Sequence, residues 1–500
     1  MLGLSPQKGL LQSCIIAALL ALSAQPKIVE GEILFSRLLG LNLPASVVSD
    51  SMPETNRGFL EHLSLLPRPT GPRVFCRLIV EDVLRSRGSD GREEKIENSI
   101  ATVGVAIPFG QNYTPSVIGV SFSGVDLATR YSNAHEQKLA YGGAFSDYVV
   151  WYRGDFDSRV NFAGWFKERK LADGWQDHYS AEIYFHPVRA GGLGYSYCRT
   201  NLDQSLTFEV RDEGGVLPIE AEVVAESYFL TGRLLKRFSL WLEAVRYSFE
   251  PSTGQLSASQ FELVPDGRFR QELGELTMSF FGRWSARLAY KQGGLDASGD
   301  FFYYGQKFGK VTRGHFAFSS VAGGLGFHSP TRALSVDYEH FDLSDSLRGH
   351  VQSWPFVSAI FRLLGDRTYF RGIGGARMDK LRFTYSQDCR SGGKLASGMT
   401  YFHVVPSGEW QTWEPLLFVF GVKNFKRHLS SLVEADAILL SLGGKYPFRN
   451  LDFSGSVSQL IPVHVKKAET SPPSAPGGAP AVRVTTDGGR FYEFGIEYRF

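Results

Sequence analysis

Arg490-Phe-Tyr-Glu-Phe-Gly-Ile-Glu-Tyr-Arg-Phe500 is the stretch that decides the fold. Tyr492, Phe494, Ile496, Tyr498 and Phe500 recur at every second position, with Glu493, Gly495, Glu497 and Arg499 between them. In an extended chain successive side chains point to opposite faces, so this run has one aromatic face and one polar face. A helix would spread the same residues around its whole circumference. The run is a two-faced strand.

The same alternation recurs upstream. Val74, Cys76, Leu78 and Val80 oppose Arg77 and Glu81, and Tyr179, Ala181, Ile183 and Phe185 oppose Ser180, Glu182 and His186. Trp284, Ala286, Leu288 and Tyr290 oppose Ser285, Arg287 and Lys291. Leu334, Val336 and Tyr338 oppose Ser335, Asp337 and Glu339, while Leu381, Phe383 and Tyr385 oppose Lys380, Arg382 and Thr384. About twenty such windows run from residue 73 onward, parted by turn clusters such as 212–215 and 391–394. The fold class is therefore all-β.

A chain of 500 residues exceeds what one soluble core fills, roughly 250–300 residues. It either divides into domains or wraps around a lumen. Hydrophobic residues at 43% exclude whole-chain disorder. The near balance of 53 Lys and Arg against 51 Asp and Glu gives no basic surplus for nucleic acid. A soluble propeller would show a repeat of about 40–50 residues, which is not found, and sandwich strands are generally shorter than these windows.

The start of the chain reads differently. Lys8 precedes an apolar stretch over 9–24 that ends in small residues, the pattern of an export signal at 1–24 with cleavage between about 23 and 31. Residues 32–41 and 58–66 have helix-like spacing, and Pro67, Pro69 and Pro72 then break the chain. Residues 31–70 are thus expected to form a separate N-terminal segment ahead of the strands over 71–500. A second composition shift, rich in Pro, Ser, Gly and Ala over 466–480, reads as a mobile loop. Once Cys14 leaves with the signal, Cys76, Cys198 and Cys389 remain, at spacings that indicate neither a disulfide framework nor a zinc site. No metal or cofactor is expected.

The run at 490–500 resembles the closing strand of bacterial outer-membrane β-barrel proteins, in which aromatic or apolar residues alternate up to an aromatic at the carboxyl terminus. The resemblance implies a transmembrane antiparallel β-barrel over 71–500 in the bacterial outer membrane, with residues 31–70 as an N-terminal periplasmic or plug segment and the 466–480 loop extracellular. It also implies contact with outer-membrane lipid and recognition of the last strand by the outer-membrane assembly machinery. Physics agrees, because in lipid every backbone polar group must be paired internally and a β protein spans only as a closed barrel. At about 20–25 residues per strand and loop, about 18–22 strands are expected, enough for an aqueous lumen. Aromatic pairs such as Trp151-Tyr152 and Tyr303-Tyr304 suit the interfacial girdles.

A polar lumen makes a channel or transporter for hydrophilic solutes the leading function. Glu220, Glu222 and Glu226 share one strand face, as do Arg287 with Lys291 and Lys380 with Arg382. Like charges in a row cost energy unless paired across strands, so these seven residues are the expected selectivity residues of the lumen. One alternative is an exporter of a secreted polymer such as an exopolysaccharide, whose N-terminal segment would meet a periplasmic partner. Another is an outer-membrane or secreted hydrolase using the Ser, His and Asp types gathered at His340, Asp342, Ser344 and Asp345. The glycine clusters at 323–326 and 372–375 open no helix of a βαβ unit, so they read as strand glycines and not as phosphate cradles.

Overall fold

A computed structural model describes residues 62–65 and the chain from 71 to 500, apart from connections at 89–92, 111–115, 133–137, 157–158, 172–173, 189–190, 211–212, 235–236, 252–255, 259–260, 281, 304–305, 353–366, 416–421, 429–433, 467–483 and 488. The expected export signal, residues 31–61 and the loop at 467–480 lie outside the described residues.

The described chain is almost entirely strand. The first group is β1 (Arg73–Gly88), β2 (Glu93–Phe109), β3 (Ser116–Ser132), β4 (Lys138–Phe156), β5 (Val160–Leu171), β6 (Gly174–Val188) and β7 (Gly191–Val210). Next come β8 (Glu213–Leu234), β9 (Phe238–Pro251), β10 (Leu256–Ala258), β11 (Phe261–Phe280), β12 (Trp284–Tyr303), β13 (Gln306–His328) and β14 (Arg332–Gln352). The last are β15 (Arg367–Asp388), β16 (Lys394–Pro415), β17 (Val422–His428), β18 (Glu434–Phe448), β19 (Leu451–Lys466), β20 (Val484–Asp487) and β21 (Arg490–Arg499). Three staves are interrupted: β9 and β10 pair with successive parts of β11, β17 and β18 with β16, and β20 and β21 with β1. The wall therefore has eighteen staves among the described residues.

Every neighbour pairs antiparallel in chain order, and β1 then pairs with β21 from Arg73↔Arg499 to Asp82↔Arg490. The sheet closes on itself, so among the described residues the wall has no free edge where β1 meets β21. At the end where β1 starts, staves join by short turns, such as Arg449-Asn450 between β18 and β19. In barrels of this architecture the short-turn end is periplasmic and the longer loops are extracellular.

The two faces of the wall are chemically opposite. Leu288, Leu325, Leu442, Phe494 and Ile496 stand exposed on the outside. Phe109, Phe156, Phe185, Trp284 and Phe448 ring the short-turn end, and Tyr148, Tyr228, Tyr290 and Tyr338 form a second ring higher up. The inner face carries Arg77, Glu81, Asp147, Lys167, Arg169, Glu243 and Glu493, all buried. An apolar belt outside and a polar wall inside a closed barrel is the architecture that spans the bacterial outer membrane. The aromatic face of 490–500 is on the outside, with Tyr492 less exposed than Phe494, Ile496, Tyr498 and Phe500.

One girdle expectation is corrected. Tyr152 faces outward, but Trp151 lies inside, over Gly119 of β3, where an added Cβ would meet the indole at 2.0 Å. Adjacent strand residues cannot share a face, so only one of the pair can serve the girdle.

Candidate functional site: the lumen

Four of the seven candidate selectivity residues meet on one stretch of inner wall. Strand pairing aligns Arg287, Gly324, Asp337 and Arg382 across β12 to β15. The next inward row holds Ala289, Ala322, Glu339 and Lys380, and Lys291 follows on β12. Gly324 has no side chain for a reason visible here: a Cβ would strike the Asp337 carboxylate at 2.1 Å. Arg287 donates to Glu275 of β11 at 2.9 Å, with Glu275 buried and the Arg287 side chain 38% exposed. Lys380 reaches Glu339 at 3.2 Å, and Ser320 donates to the same carboxylate at 2.7 Å. The basic rows are thus threaded with Glu275, Asp337 and Glu339, which relieves their mutual repulsion.

The acidic row is elsewhere. On β8, Val223, Ala225, Ser227 and Phe229 are buried, while Tyr228 and Leu230 are exposed. Glu222 and Glu226 share the parity of Tyr228, so they face outward and not into the lumen. Glu222 accepts from Arg199 at 2.6 Å, and Glu226 accepts from the Tyr195 hydroxyl at 3.4 Å. The side chain of Glu220 lies outside the described residues. The physical reason for the correction is that polar-in, apolar-out holds only at the height of the hydrocarbon. Above the tyrosine ring the outer face meets head groups and water, and charge is at home there.

Two further ionic groups fill the inner wall. Asp147 accepts both forks of Arg169, at 2.8 and 2.9 Å, and the Lys167 ammonium at 3.2 Å. Across the closure, Arg73 pairs with Glu497 at 3.0 Å, Lys445 with Asp452 at 3.1 Å, and Arg499 bridges Glu497 and Asp452.

Sequence reasoning missed the most closely built place in the lumen. The chain before β1 makes a short 3-10 turn at Leu63–Leu65, and this turn sits against β5, β6 and β9. His62 is 1% exposed, with Nδ1 3.2 Å from Glu182 and Nε2 3.1 Å from Glu243. The Ser64 amide donates to Glu182 at 3.0 Å, its hydroxyl donates to the same oxygen, and Asn161 donates to the Ser64 carbonyl at 2.9 Å. Burial alone would lower the His62 imidazole. The hydrogen bonds and negative charges of Glu182 and Glu243 outweigh that burial and raise it to about 9.

The floor of this place is aromatic. The His62 ring lies 3.8 Å from Phe229, which stacks on Tyr184 and Trp241 at 5.8 and 5.9 Å. Both Phe229 and Tyr184 lie flat across β7 because Gly194 and Gly192 face them, where a Cβ would fall 2.0 and 2.7 Å from the rings. Covered by His62, Phe229 offers no open platform to a sugar ring. Beside it a cavity of about 430 Å³ is lined by Arg153, Asn161, His186, Thr231, Trp241 and Glu275, among others.

The hydrolase constellation does not assemble. His340 sits on the outer face of β14, with Nδ1 2.7 Å from Asp379 and Nε2 3.0 Å from Asp342. Both ring nitrogens are directed at carboxylates and neither at Ser344. At the short-turn rim, Ser285 lies 3.5 Å from His328 in an exposed contact. Among the described residues no three His, Cys, Asp or Glu side chains gather as metal ligands.

No protein-family model matches the sequence, and no curated protein matches it. Among solved structures the chain is similar to OccK7 (OpdD) of Pseudomonas aeruginosa, at 10% identity and a TM-score of 0.39, covering 86% of this chain and 99% of that one. It is also similar to OccAB4 of Acinetobacter baumannii, at 9% identity and a TM-score of 0.36, covering 86% and 98%. The ferric yersiniabactin uptake receptor FyuA of Yersinia pestis is similar at 8% identity and a TM-score of 0.40, covering 87% and 81%.

Proposed function

We propose that the protein is an outer-membrane channel for hydrophilic solutes, in which Arg287, Lys291, Lys380 and Arg382 favour anionic over cationic solutes. The observation that carries this reading is the inner wall itself, polar and charged along a closed barrel whose outside is apolar. A ring of eighteen strands leaves room for a path through the middle. Along β11 to β15 the four cations stand among three carboxylates, Glu275, Asp337 and Glu339, leaving a local positive surplus. A pore lined by charge of one sign concentrates counter-ions of the other.

The test is current through the purified, refolded barrel in planar bilayers, with the reversal potential read in a salt gradient. A reversal potential on the anion side is expected, moving toward cation preference in the Lys380→Gln/Arg382→Gln double variant. A folded barrel that passes no current in any variant at any pH would overturn the channel reading. An unchanged reversal potential would overturn the role of the basic rows.

A further inference from the structure

We propose that the His62–Leu65 turn is a latch: docked on the inner wall against β5, β6 and β9, it narrows the path through the lumen, and the pair Glu182 and Glu243 is its catch. The inference rests on the channel reading for what the latch narrows, but not for whether the latch exists.

The geometry is that of a docked ligand. Two nitrogens of one ring meet carboxylates from two different staves, β6 and β9. The neighbouring amide and hydroxyl of Ser64 fasten to the first of those carboxylates, and Asn161 of β5 takes the carbonyl. Phe229 closes the remaining face of the ring. A single turn of three residues cannot hold itself in place, so this segment is where the wall puts it. From Leu65 the chain must reach β1 at Arg73, and eight residues span at most ~29 Å. The turn sits near the short-turn mouth, where β5 and β9 begin: Asn161 is the second residue of β5 and Glu243 the sixth of β9.

A latch of this kind responds to charge. Glu182 and Glu243 would repel one another across an empty catch, and a protonated imidazole between them cancels that repulsion. The other charged or titratable groups around the turn are arranged differently. Arg153 on β4 pairs with Asp155 at 3.3 Å, and β5 contributes the neutral Asn161. Tyr184 and His186 on β6, Arg233 on β8 and Glu275 on β11 line the adjoining cavity, and the Tyr184 hydroxyl is bonded to Thr231 at 2.6 Å. Only the two carboxylates of the catch bond the ring among the described residues. A histidine raised by such partners holds while it is charged and lets go as pH rises through its folded value.

The experiment uses the full chain refolded in detergent, its folding checked by the mobility shift of an unheated sample. Hydrogen exchange is followed in the peptide that contains residues 62–65, in wild type, His62→Ala and Glu182→Gln/Glu243→Gln. Removing one side of a buried, bonded ion pair should speed exchange there by roughly a hundredfold, while strands far from the catch are unchanged. In bilayers the same variants should conduct at neutral pH, and wild type should conduct more at pH about 10 than at pH about 6. Equal protection of 62–65 in all three folded proteins would overturn the latch. Faster exchange without any current would leave the latch standing and overturn the channel reading. Faster exchange with current equal to wild type at every pH would show that the turn docks but does not narrow the path, which overturns the proposal as stated.

Discussion

Arg77 of β1 donates through Nε to Glu493 of β21 at 2.6 Å, across the seam where the two ends of the sheet meet. Both side chains are buried on the inner wall, and Arg73 with Glu497 repeats the bond four residues toward the short-turn end of each stave. The backbone ladder from Arg73↔Arg499 to Asp82↔Arg490 closes the barrel, and these pairs fix its register. A slip of one residue would put Glu493 into lipid and Phe494 into the lumen.

Removing one partner should therefore loosen the closure. Arg77→Ala or Glu493→Ala leaves a buried charge without its mate, worth about 3–5 kcal/mol. Thermal unfolding followed by the loss of heat-modifiable mobility should show the drop. The double variant should lose less than the sum of the singles. Strict additivity would show that the two residues do not act as a pair.

Leu288 and Arg287 test the wall one residue apart. Leu288 is 58% exposed on the outer face between Trp284 and Tyr290 of the two girdles. Leu288→Arg should destabilise by about 2–4 kcal/mol if it sits near the midplane. Arg287→Leu acts inside, where Glu275 keeps other partners such as the Thr277 hydroxyl at 3.5 Å, and it should shift ion preference toward cations more than it lowers stability. Denaturant titration in lipid vesicles checks the first effect and reversal potential the second. Similar losses of stability from both would place this strand in the wrong register.

How much of this was legible in the sequence depends on what each residue reports. Period-two alternation fixes which residues share a face, so the outward set Tyr492, Phe494, Ile496, Tyr498 and Phe500 and the inward Arg287, Lys380 and Arg382 could be read directly. Alternation does not say which face is the lumen once both faces meet water. That is why Glu222 and Glu226, above the tyrosine ring, read as lumenal from their charge and yet face outward. The catch for His62 was out of reach for another reason. Its parts lie 120 and 181 residues from His62 in sequence, and no local spacing encodes such a meeting. The one available hint was a pair of inward carboxylates, Glu182 and Glu243, with no inward cation close by in sequence. The glycines Gly192 and Gly194 opposite aromatic rings of neighbouring staves carried a second hint, readable only after the strands are registered.

The pH dependence of the docked turn has a definite sign. An unperturbed histidine titrates near 6.5, and His62 is raised to about 9 by Glu182 and Glu243. Its contribution is complete below about pH 6.5, declines as pH rises through about 9, and amounts to about 3 kcal/mol at most. The difference in protection of residues 62–65 between wild type and His62→Ala should thus be large at pH 6 and vanish by about pH 10. A difference that stays constant across that range would mean His62 docks as a neutral ring and owes its place to Phe229 alone.

Gly194 offers the complementary perturbation, because it acts on the floor of the catch and touches none of its charges. A Cβ at 194 would fall 2.0 Å from the Phe229 ring, which is packed flat and has His62 at 3.8 Å on its other side. The ring cannot rise without displacing the imidazole, and it stacks on Tyr184 and Trp241 at its sides. Gly194→Val should therefore overpack this layer at a cost of about 1–3 kcal/mol. Most of that strain would be relieved by pushing the turn off the wall. The expected signature is a change in Trp241 environment by near-ultraviolet circular dichroism, together with lost protection of residues 62–65 at a pH where His62 remains charged. Pairing Gly194→Val with Phe229→Ala removes the clash and should restore part of the protection, since the two carboxylates are untouched. If Gly194→Val leaves the turn as protected as in wild type, the ring does not support His62, and the ionic bonds alone hold the segment.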